Sequence, residues 1–181
     1  METGYPNNMI NISKYRVEYN EKEKVFYILA EEEIVCPVCG CEQLKKKGRR
    51  KRRVIKPNGE EIVLKIRRLK CKDCKTIHHE LPKLLVPYKR YSAQTIEIII
   101  NKTYEEVCCE NSTINRIKAW WANIQLYIKS VEESIKLKYN ITFSKERKLV
   151  EIVRALVNTH LWPGTRSAWE CQKKKIIIIP N

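Results

Sequence analysis

Two Cys-x-x-Cys pairs have the residue type and spacing that predict a metal site. A tight turn with two thiolates two residues apart directs both sulfurs at one ion, and two such turns complete a tetrahedral S₄ site, which suits Zn²⁺. Because four thiolates leave no open coordination position, we expect a structural zinc ion rather than a catalytic one. The predicted ligands are Cys36, Cys39, Cys71 and Cys74.

The residues around the two pairs favour the same interpretation. Gly40 follows the first pair and can adopt a positive φ, whereas Lys75 stands at the equivalent place after the second pair. The Pro-Asn-Gly sequence at 57–59 is typical of a hairpin turn. After it, apolar residues alternate over 62–66, which predicts a strand leading into Cys71. A hairpin that joins two cysteine turns is a zinc ribbon, a module whose folding depends on its metal.

Three further residues near the pairs could also bind a metal. Cys41 lies beside the first pair and is interpreted as a spare thiol. His78 and His79 follow the second pair and are alternative ligands. Because four thiolates already fill a tetrahedral site, we expect both histidines to be ordinary surface or packing residues.

Positive charge predicts a polyanionic partner, with nucleic acid the first choice and an acidic membrane surface the second. The chain has 36 Lys and Arg against 21 Asp and Glu, a formal net charge of +15. Residues 36–75 have 15 Lys and Arg and 4 Asp and Glu, more than a zinc–thiolate centre would neutralise. We interpret this run as phosphate-binding, with salt-dependent affinity; the alternative is a solvated loop. The predicted contacts are Lys45, Lys46, Lys47, Arg49, Arg50, Lys51, Arg52 and Arg53.

The sequence becomes helical from Ser92, a good N-cap, to about residue 157. A short second helix fits 103–109, a turn fits 110–111, and Ser112 is the predicted cap of a third helix. This order predicts a helix-turn-helix, whose recognition helix inserts its first residues into the major groove. Arg116 suits guanine and Asn115 suits adenine, although a plain helical bundle is the alternative. The predicted DNA contacts here are Lys89, Arg90, Thr113, Asn115, Arg116 and Lys118.

A heptad seam follows along the third helix, with apolar residues alternately three and four positions apart. Two interpretations are open: a homodimer through the seam, or packing on the later helix at 149–156 within one chain. The short connection near Asn140 favours packing within the chain. The seam consists of Ile114, Ile117, Trp121, Ile124, Ile128, Val131 and Ile135.

These elements predict an α+β protein: a small β zinc ribbon followed by an all-helical helix-turn-helix domain with a long third helix. The expected divisions are an N-terminal arm with a short strand (1–33), the ribbon (34–86), the helices (87–158) and an irregular tail (159–181). Within the arm, a flexible segment is predicted at 1–14 and the strand at 25–29. No secretory signal or membrane-spanning run is visible, which predicts a cytoplasmic protein without disulfides and with no membrane partner.

The combination resembles a family of short bacterial proteins with a zinc ribbon and a helix-turn-helix, which in turn resemble the N-terminal DNA-binding region of insertion-sequence transposases. The resemblance spans about 35–167 and implies DNA binding linked to mobile elements. The expected role is recognition of a transposon end or target, or regulation of transcription by repression of a nearby promoter. The sequences that carry it are Cys-Pro-Val-Cys-Gly at 36–40, Arg-Arg-Leu-Lys-Cys at 67–71, Pro-Tyr-Lys-Arg-Tyr-Ser at 87–92, Ser-Thr-Ile at 112–114 and Trp-Pro-Gly-Thr-Arg-Ser at 162–167.

We expect no catalytic activity from this chain itself. A transposase of the acidic-triad type needs a further domain with three carboxylates for two metal ions, and the helices occupy most of the residues after Cys74. The rival functions are a protein-interaction ribbon that recruits a transposase or polymerase, and the DNA-recognition part of a split transposase with a catalytic partner chain. RNA in place of DNA is a further alternative.

Overall fold

The computed structural model describes residues 8–101, 106–146 and 148–163, which form a mixed α+β protein with six strands followed by three helices. The strands are β1 (Met9–Ile12), β2 (Tyr15–Asn20), β3 (Val25–Ala30), β4 (Leu44–Ile55), β5 (Glu61–Cys71) and β6 (Ile77–Pro82). The helices are α1 (Ala93–Ile100), α2 (Asn111–Tyr139) and α3 (Leu149–Asn158). None of these helices combines the length and the apolar character needed to cross a membrane.

All six strands belong to one curled sheet in the order β1-β6-β5-β3-β2, with β4 also paired to β5. The long strand β5 is the centre of this sheet. Antiparallel β4 lies along one whole edge of β5, from Glu61 to Cys71. The other edge is shared, because β3 pairs in parallel at 64–65 and β6 pairs antiparallel at 68–70. The β4–β5 hairpin is therefore built into a larger sheet instead of standing alone.

The N-terminal strands differ in part from the sequence prediction. The predicted strand at 25–29 is confirmed as β3. Residues 1–14 were expected to be a flexible arm, but Met9–Ile12 form β1, which pairs in parallel with β6. The physical reason is that Met9, Ile10 and Ile12 are buried in the core. A strand of four residues is too short to show a period of two in the sequence.

The beginnings of the helices also test the sequence prediction. Ser92 is confirmed as the N-cap of α1, because its Oγ accepts a hydrogen bond from the Thr95 N–H at 3.1 Å. The predicted cap Ser112 is wrong: α2 begins at Asn111, and Ser112 lies inside its first turn, where its hydroxyl donates to the Glu110 carboxylate. Of the predicted helix at 103–109, residues 103–105 lie outside the described residues, and 106–109 are not α-helical.

The helices cover the core side of the sheet. α2 packs against α1, and α3 packs against β1 and α1. Most residues of the heptad seam are buried within the single chain. This agrees with the packing inside one chain that the short connection near Asn140 favours. The buried seam residues are Ile114, Ile117, Ile124, Ile128 and Ile135. The homodimer through this seam stays a prediction. The C-cap of α2 is Asn140, which adopts a left-handed φ of 52°. Of the irregular tail expected at 159–181, residues 159–163 are described and the rest lies outside the described residues.

Candidate metal centre and cationic surface

The four predicted ligands lie together at the end of the hairpin where β4 begins and β5 finishes. Their sulfur atoms all lie within 4.8 Å of one another. The Sγ atoms of Cys36 and Cys74 are 3.6 Å apart, and those of Cys39 and Cys71 are also 3.6 Å apart. In a tetrahedral site with metal–sulfur bonds of about 2.3 Å, the sulfurs lie about 3.8 Å from one another. The cluster therefore has the donor set and spacing to hold one tetrahedral metal ion.

The backbone presents the two cysteine pairs in similar turns. The Gly40 N–H donates to the Cys36 carbonyl at 2.8 Å, and Gly40 has the positive φ of 74° that its lack of a side chain permits. Lys75, at the equivalent place after the second pair, also has a positive φ, of 62°. The Lys72 N–H donates to the Gln43 carbonyl at 3.0 Å, which joins the two turns. The second turn thus reaches the same conformation without glycine.

Burial makes a bare thiolate unfavourable at two of the four cysteines. Cys36 and Cys71 are buried, Cys74 is half-buried and Cys39 is exposed. Burial raises the pKa of the Cys36 thiol to about 12 and raises that of Cys71 as well. Burial also raises the pKa of Cys74, but hydrogen bonds to Thr76 and to the neighbouring thiols outweigh it and lower that pKa to about 6. A divalent cation would compensate the thiolate charge and remove this penalty, so metal binding at this cluster would release protons. The arrangement has the chemistry of a structural centre.

The three alternative ligands have different surroundings. Cys41 lies outside the cluster, where its Sγ accepts from the Gln43 N–H at 3.3 Å. His78 is fully buried, and its Nε2 lies 3.2 Å from the Cys36 sulfur, at the distance of a hydrogen bond to a thiolate. His79 is separated from the cluster and lies 3.5 Å from Arg50. His78 is therefore a buried residue that also contacts one of the predicted ligands.

β4 presents most of the predicted phosphate contacts to solvent. Within the described residues, β4 pairs with β5 along its length and otherwise makes one bridge, from Ile55 to Tyr91. Arg49 and Arg52 are half-buried: Arg49 lies over the Tyr27 ring, 4.6 Å from its centroid, and Arg52 donates to the Lys89 carbonyl at 3.0 Å. The exposed cations of β4 are Lys45, Lys46, Lys47, Arg50, Lys51 and Arg53.

A second group of cations connects the hairpin to the beginning of α2. Lys89 lies over the Trp120 ring, 4.2 Å from its centroid. Burial, and then the nearby Arg116, lower the pKa of Lys89 to about 8. Arg52 is hydrogen-bonded to the backbone of Lys89, so β4 is joined to the segment whose Lys89 contacts Trp120 of α2. Arg90 lies beside it and pairs with Glu61 at 3.6 Å.

The α2 residues that are predicted to contact DNA differ in their exposure to solvent. Asn115 and Arg116 are exposed, and Lys118 is half-buried. Thr113 is buried, at 7% exposed, and its assignment as a base contact stays a prediction. Its hydroxyl accepts a hydrogen bond from Arg116 Nη2 at 2.8 Å, which holds the guanidinium at the start of the helix.

Sequence reasoning predicted Arg50 and Arg52 as phosphate contacts but did not place His79 and Tyr88 beside them. Arg50 and Arg52 of β4, His79 of β6 and Tyr88 line one open cleft. The alternation of a strand could have placed Arg50 and Arg52 on the same face. The pairing of β6 with β5, which brings His79 beside them, connects strands that no local pattern relates.

The central part of the chain matches a protein family. Residues 36–117 match the model of a family described as a domain of unknown function (DUF6431). The match begins at the first cysteine of the cluster and ends in the first turns of α2, so it includes the metal centre, the hairpin and α1. No curated protein and no solved structure matches the chain.

Proposed function

We propose that this chain is a DNA-binding protein in which a structural zinc ion fixes the open end of a cationic β-hairpin. The observation that carries the proposal is the surface of β4. Within the described residues, Arg53 is the one β4 cation that pairs with a carboxylate, Glu61, at 3.6 Å. The remaining exposed cations of β4 are left for a partner with many negative charges, and a phosphate backbone is such a partner.

The metal centre explains how the hairpin is held. Two cysteine turns at the ends of an antiparallel hairpin are the arrangement of a zinc ribbon, and four thiolates about 3.8 Å apart suit Zn²⁺. When bound, the ion supplies structural stabilisation and no catalytic step. β5 has 11 residues, which at about 3.4 Å per residue gives roughly 35 Å of strand. That length allows β4 to follow several phosphates of one strand.

The start of α2 supports a second contact with DNA. Asn115 and Arg116 are exposed beside Lys89, at the end of the helix where a helix-turn-helix contacts base edges. We therefore propose that β4 supplies affinity and α2 supplies sequence preference. The resemblance to transposase DNA-binding regions extends this proposal to recognition of a transposon end or target, with catalysis left to another chain.

The charge on β4 could instead serve one of two roles that do not involve DNA. Charged residues on an edge strand prevent pairing with other sheets, but this role does not require cations on both faces of the strand. A protein-interaction ribbon would bind an acidic partner protein, and its affinity for DNA would be weak. Neither role predicts a steep dependence of DNA affinity on salt.

The test is a fluorescence-anisotropy titration of the zinc-loaded full chain with duplex DNA at several salt concentrations. We expect log Kd to rise steeply with log salt in the wild type. The combined variant Lys45→Gln, Lys46→Gln, Lys47→Gln is expected to reduce the slope by about 2.7, at about 0.9 per phosphate contact. The control is Lys129→Gln, Lys136→Gln, Lys145→Gln, which removes the same charge from exposed positions elsewhere. Equal reductions in both variants, or a flat wild-type slope, would contradict the proposal.

A further inference from the structure

The sheet has three edge strands, β1, β2 and β4, and two of them are protected against pairing with a further strand. β1 is held by the Asn158 side chain of α3, which hydrogen-bonds to both backbone groups of Asn11. β4 has a row of lysine and arginine side chains and an irregular register between Lys46 and Gly48, and both features oppose pairing. β2 differs, because its six residues pair with β3 in unbroken register and no described residue pairs with its other side.

Apolar side chains of β2 extend the core face of the sheet into solvent. In the register with β3, Val17 lies opposite the fully buried Ile28, and Tyr19 lies opposite Phe26. Residues that are paired in this way share a face of the sheet, so Val17 and Tyr19 lie on the side where the core packs. They are nevertheless 49% and 54% exposed. The core side of the sheet therefore ends in a short apolar strip that is open to solvent, which is typical of an interaction surface.

The other face of β2 has one charge of each sign, two residues apart. Arg16 and Glu18 are both exposed, and Arg16 Nε donates to the Glu18 carboxylate at 3.0 Å. If two copies of β2 pair antiparallel with Val17 at the two-fold axis, each Arg16 lies opposite Glu18 of the other copy. In the same register, each Tyr15 lies opposite Tyr19 of the other copy. The strand is thus complementary to itself in both charge and apolar character.

We propose that β2 is a dimerisation edge, where a second copy of this chain pairs its own β2 antiparallel across a two-fold axis at Val17. Charge selects this register, because moving the axis by one residue brings Arg16 opposite Arg16 or Glu18 opposite Glu18. Each copy has a formal net charge of +15, so close approach is least opposed where the local charge cancels, as it does on β2.

The size of the contact determines how strong this dimer should be. Two strands of six residues bury less surface than a standard protein–protein interface, so we expect a weak dimer that forms as the protein concentration rises. The inference goes beyond the proposed function and does not depend on DNA. It also differs from a dimer through the heptad seam, because β2 and α2 are separate elements.

The test is sedimentation velocity of the zinc-loaded full chain, without DNA, over a wide range of protein concentration. We expect a reversible equilibrium between monomer and dimer in the wild type. Glu18→Arg places arginines opposite arginines, and Arg16→Glu places carboxylates opposite carboxylates, so each is expected to weaken self-association at least about 10-fold. The matched control is Glu133→Arg, which makes the same charge change at an exposed position of α2 and should change the dimerisation constant less than about 3-fold.

Mixing the two single variants tests the register itself. In a mixture of Glu18→Arg and Arg16→Glu, every arginine at these positions lies opposite a glutamate of the other chain, so we expect a heterodimer from two monomeric proteins. The double variant R16E/E18R restores the complementarity within one chain and should dimerise as the wild type does. This recovery distinguishes a lost charge pairing from a failure to fold.

Two results would overturn the proposal. A wild type that stays monomeric at every concentration would leave β2 to a different partner or to none. A dimer that neither single variant weakens, or single variants that do not associate when mixed, would place the contact between copies elsewhere on the molecule. Duplex binding measured on the same samples tests the proposed function separately, because neither result depends on the other.

Discussion

At the scale of single residues, a cysteine inside the sulfur cluster and one outside it lead to opposite expectations. Cys71 is a buried member of the sulfur cluster, whereas Cys41 lies outside it. We expect Cys71→Ser to lose the bound metal and to unfold the end of the hairpin, because three thiolates and a hydroxyl bind zinc far more weakly. Cys41→Ser is expected to keep one zinc ion per chain and the wild-type circular dichroism spectrum.

Metal content by mass spectrometry of the native protein and thermal unfolding measure these outcomes. The wild type treated with a strong chelator is a further comparison, since it should behave like Cys71→Ser. If Cys71→Ser retained its metal and its unfolding midpoint, the tetrathiolate assignment would be wrong.

A buried carboxylate pairs with one arginine of β5. Glu80 has a fully buried side chain, and both of its carboxylate oxygens accept hydrogen bonds from Arg67. We expect Glu80→Gln to lower the free energy of unfolding by about 2–3 kcal/mol, because it leaves the half-buried guanidinium with no charged partner. Glu61→Gln is the control, since its pairs with Arg53 and Arg90 are 3.6 Å long and exposed, and its cost should be below about 0.5 kcal/mol.

Urea unfolding of both glutamate variants measures the difference. Similar midpoints for the two would show that the Arg67 pair contributes no more than a surface contact. The sequence does not predict the burial of Glu80, because nothing in the local pattern around this residue indicates a buried charge.

The cysteine ligands could be predicted from the sequence, because the spacing of a Cys-x-x-Cys turn is local and the chemistry of four thiolates is specific. The role of His78 could not. Its contact with the Cys36 sulfur depends on the position of β6 across β5, and the adjacent His79 points to the opposite side of the strand. The two adjacent histidines thus contact different parts of the molecule, and only the pairing of β6 with β5 explains which part each one contacts.

At the scale of elements, the two strands of the hairpin differ in how far the sequence predicts them. β5 shows an alternation of apolar residues at 62, 64 and 66, and all but the first are buried. β4 has almost no apolar residues, so its strand conformation follows from pairing with β5 through the turn at 57–59. The end of β4 does follow the pattern, because Val54 is buried.

The first turn of α2 leads to a prediction about sequence preference. Arg116 is exposed and held by Thr113, so Arg116→Ala removes a positioned guanidinium. We expect the variant to lose about 10-fold in affinity for its preferred duplex, at about 1–3 kcal/mol for a bidentate base contact, and to keep its affinity for unrelated sequences. The preferred duplex comes from selection on a random pool with the wild type.

Lys118→Ala is the control for Arg116→Ala, because a phosphate contact should weaken binding to all sequences by a similar factor. Competition titrations with preferred and scrambled duplexes separate the two results. A uniform loss in Arg116→Ala would contradict the assignment of this residue to base contacts and would leave the hairpin as the main binding element.

At the scale of the whole molecule, strands from before the first cysteine complete the sheet that contains the hairpin. β1 pairs with β6, and β3 pairs with β5, both in parallel. Such pairings join residues far apart in the chain and leave no periodic signature in either partner. The sequence therefore predicts a ribbon and a helical part but cannot show that the segment before the ribbon belongs to the same sheet.

The last helix secures the outer strand of that sheet. The Asn158 side chain of α3 accepts from the Asn11 N–H at 2.8 Å and donates to the Asn11 carbonyl at 3.2 Å, as a neighbouring strand would. Asn158→Leu leaves both backbone groups of a buried residue unpaired, so we expect a loss of about 2–3 kcal/mol in unfolding free energy. We also expect faster hydrogen exchange at the Asn11 amide, while amides of β4 keep their relative protection.

Glu151→Gln is the matched control for Asn158→Leu, because this exposed residue lies on the same helix and its change should stay within about 0.5 kcal/mol. Urea unfolding gives the global cost, and exchange measured by NMR shows where it acts. If Asn158→Leu lowered the protection of every strand equally, β1 would be an integral part of the sheet with no separate opening. If neither stability nor exchange changed, water would replace both hydrogen bonds, and α3 would hold β1 by apolar packing alone.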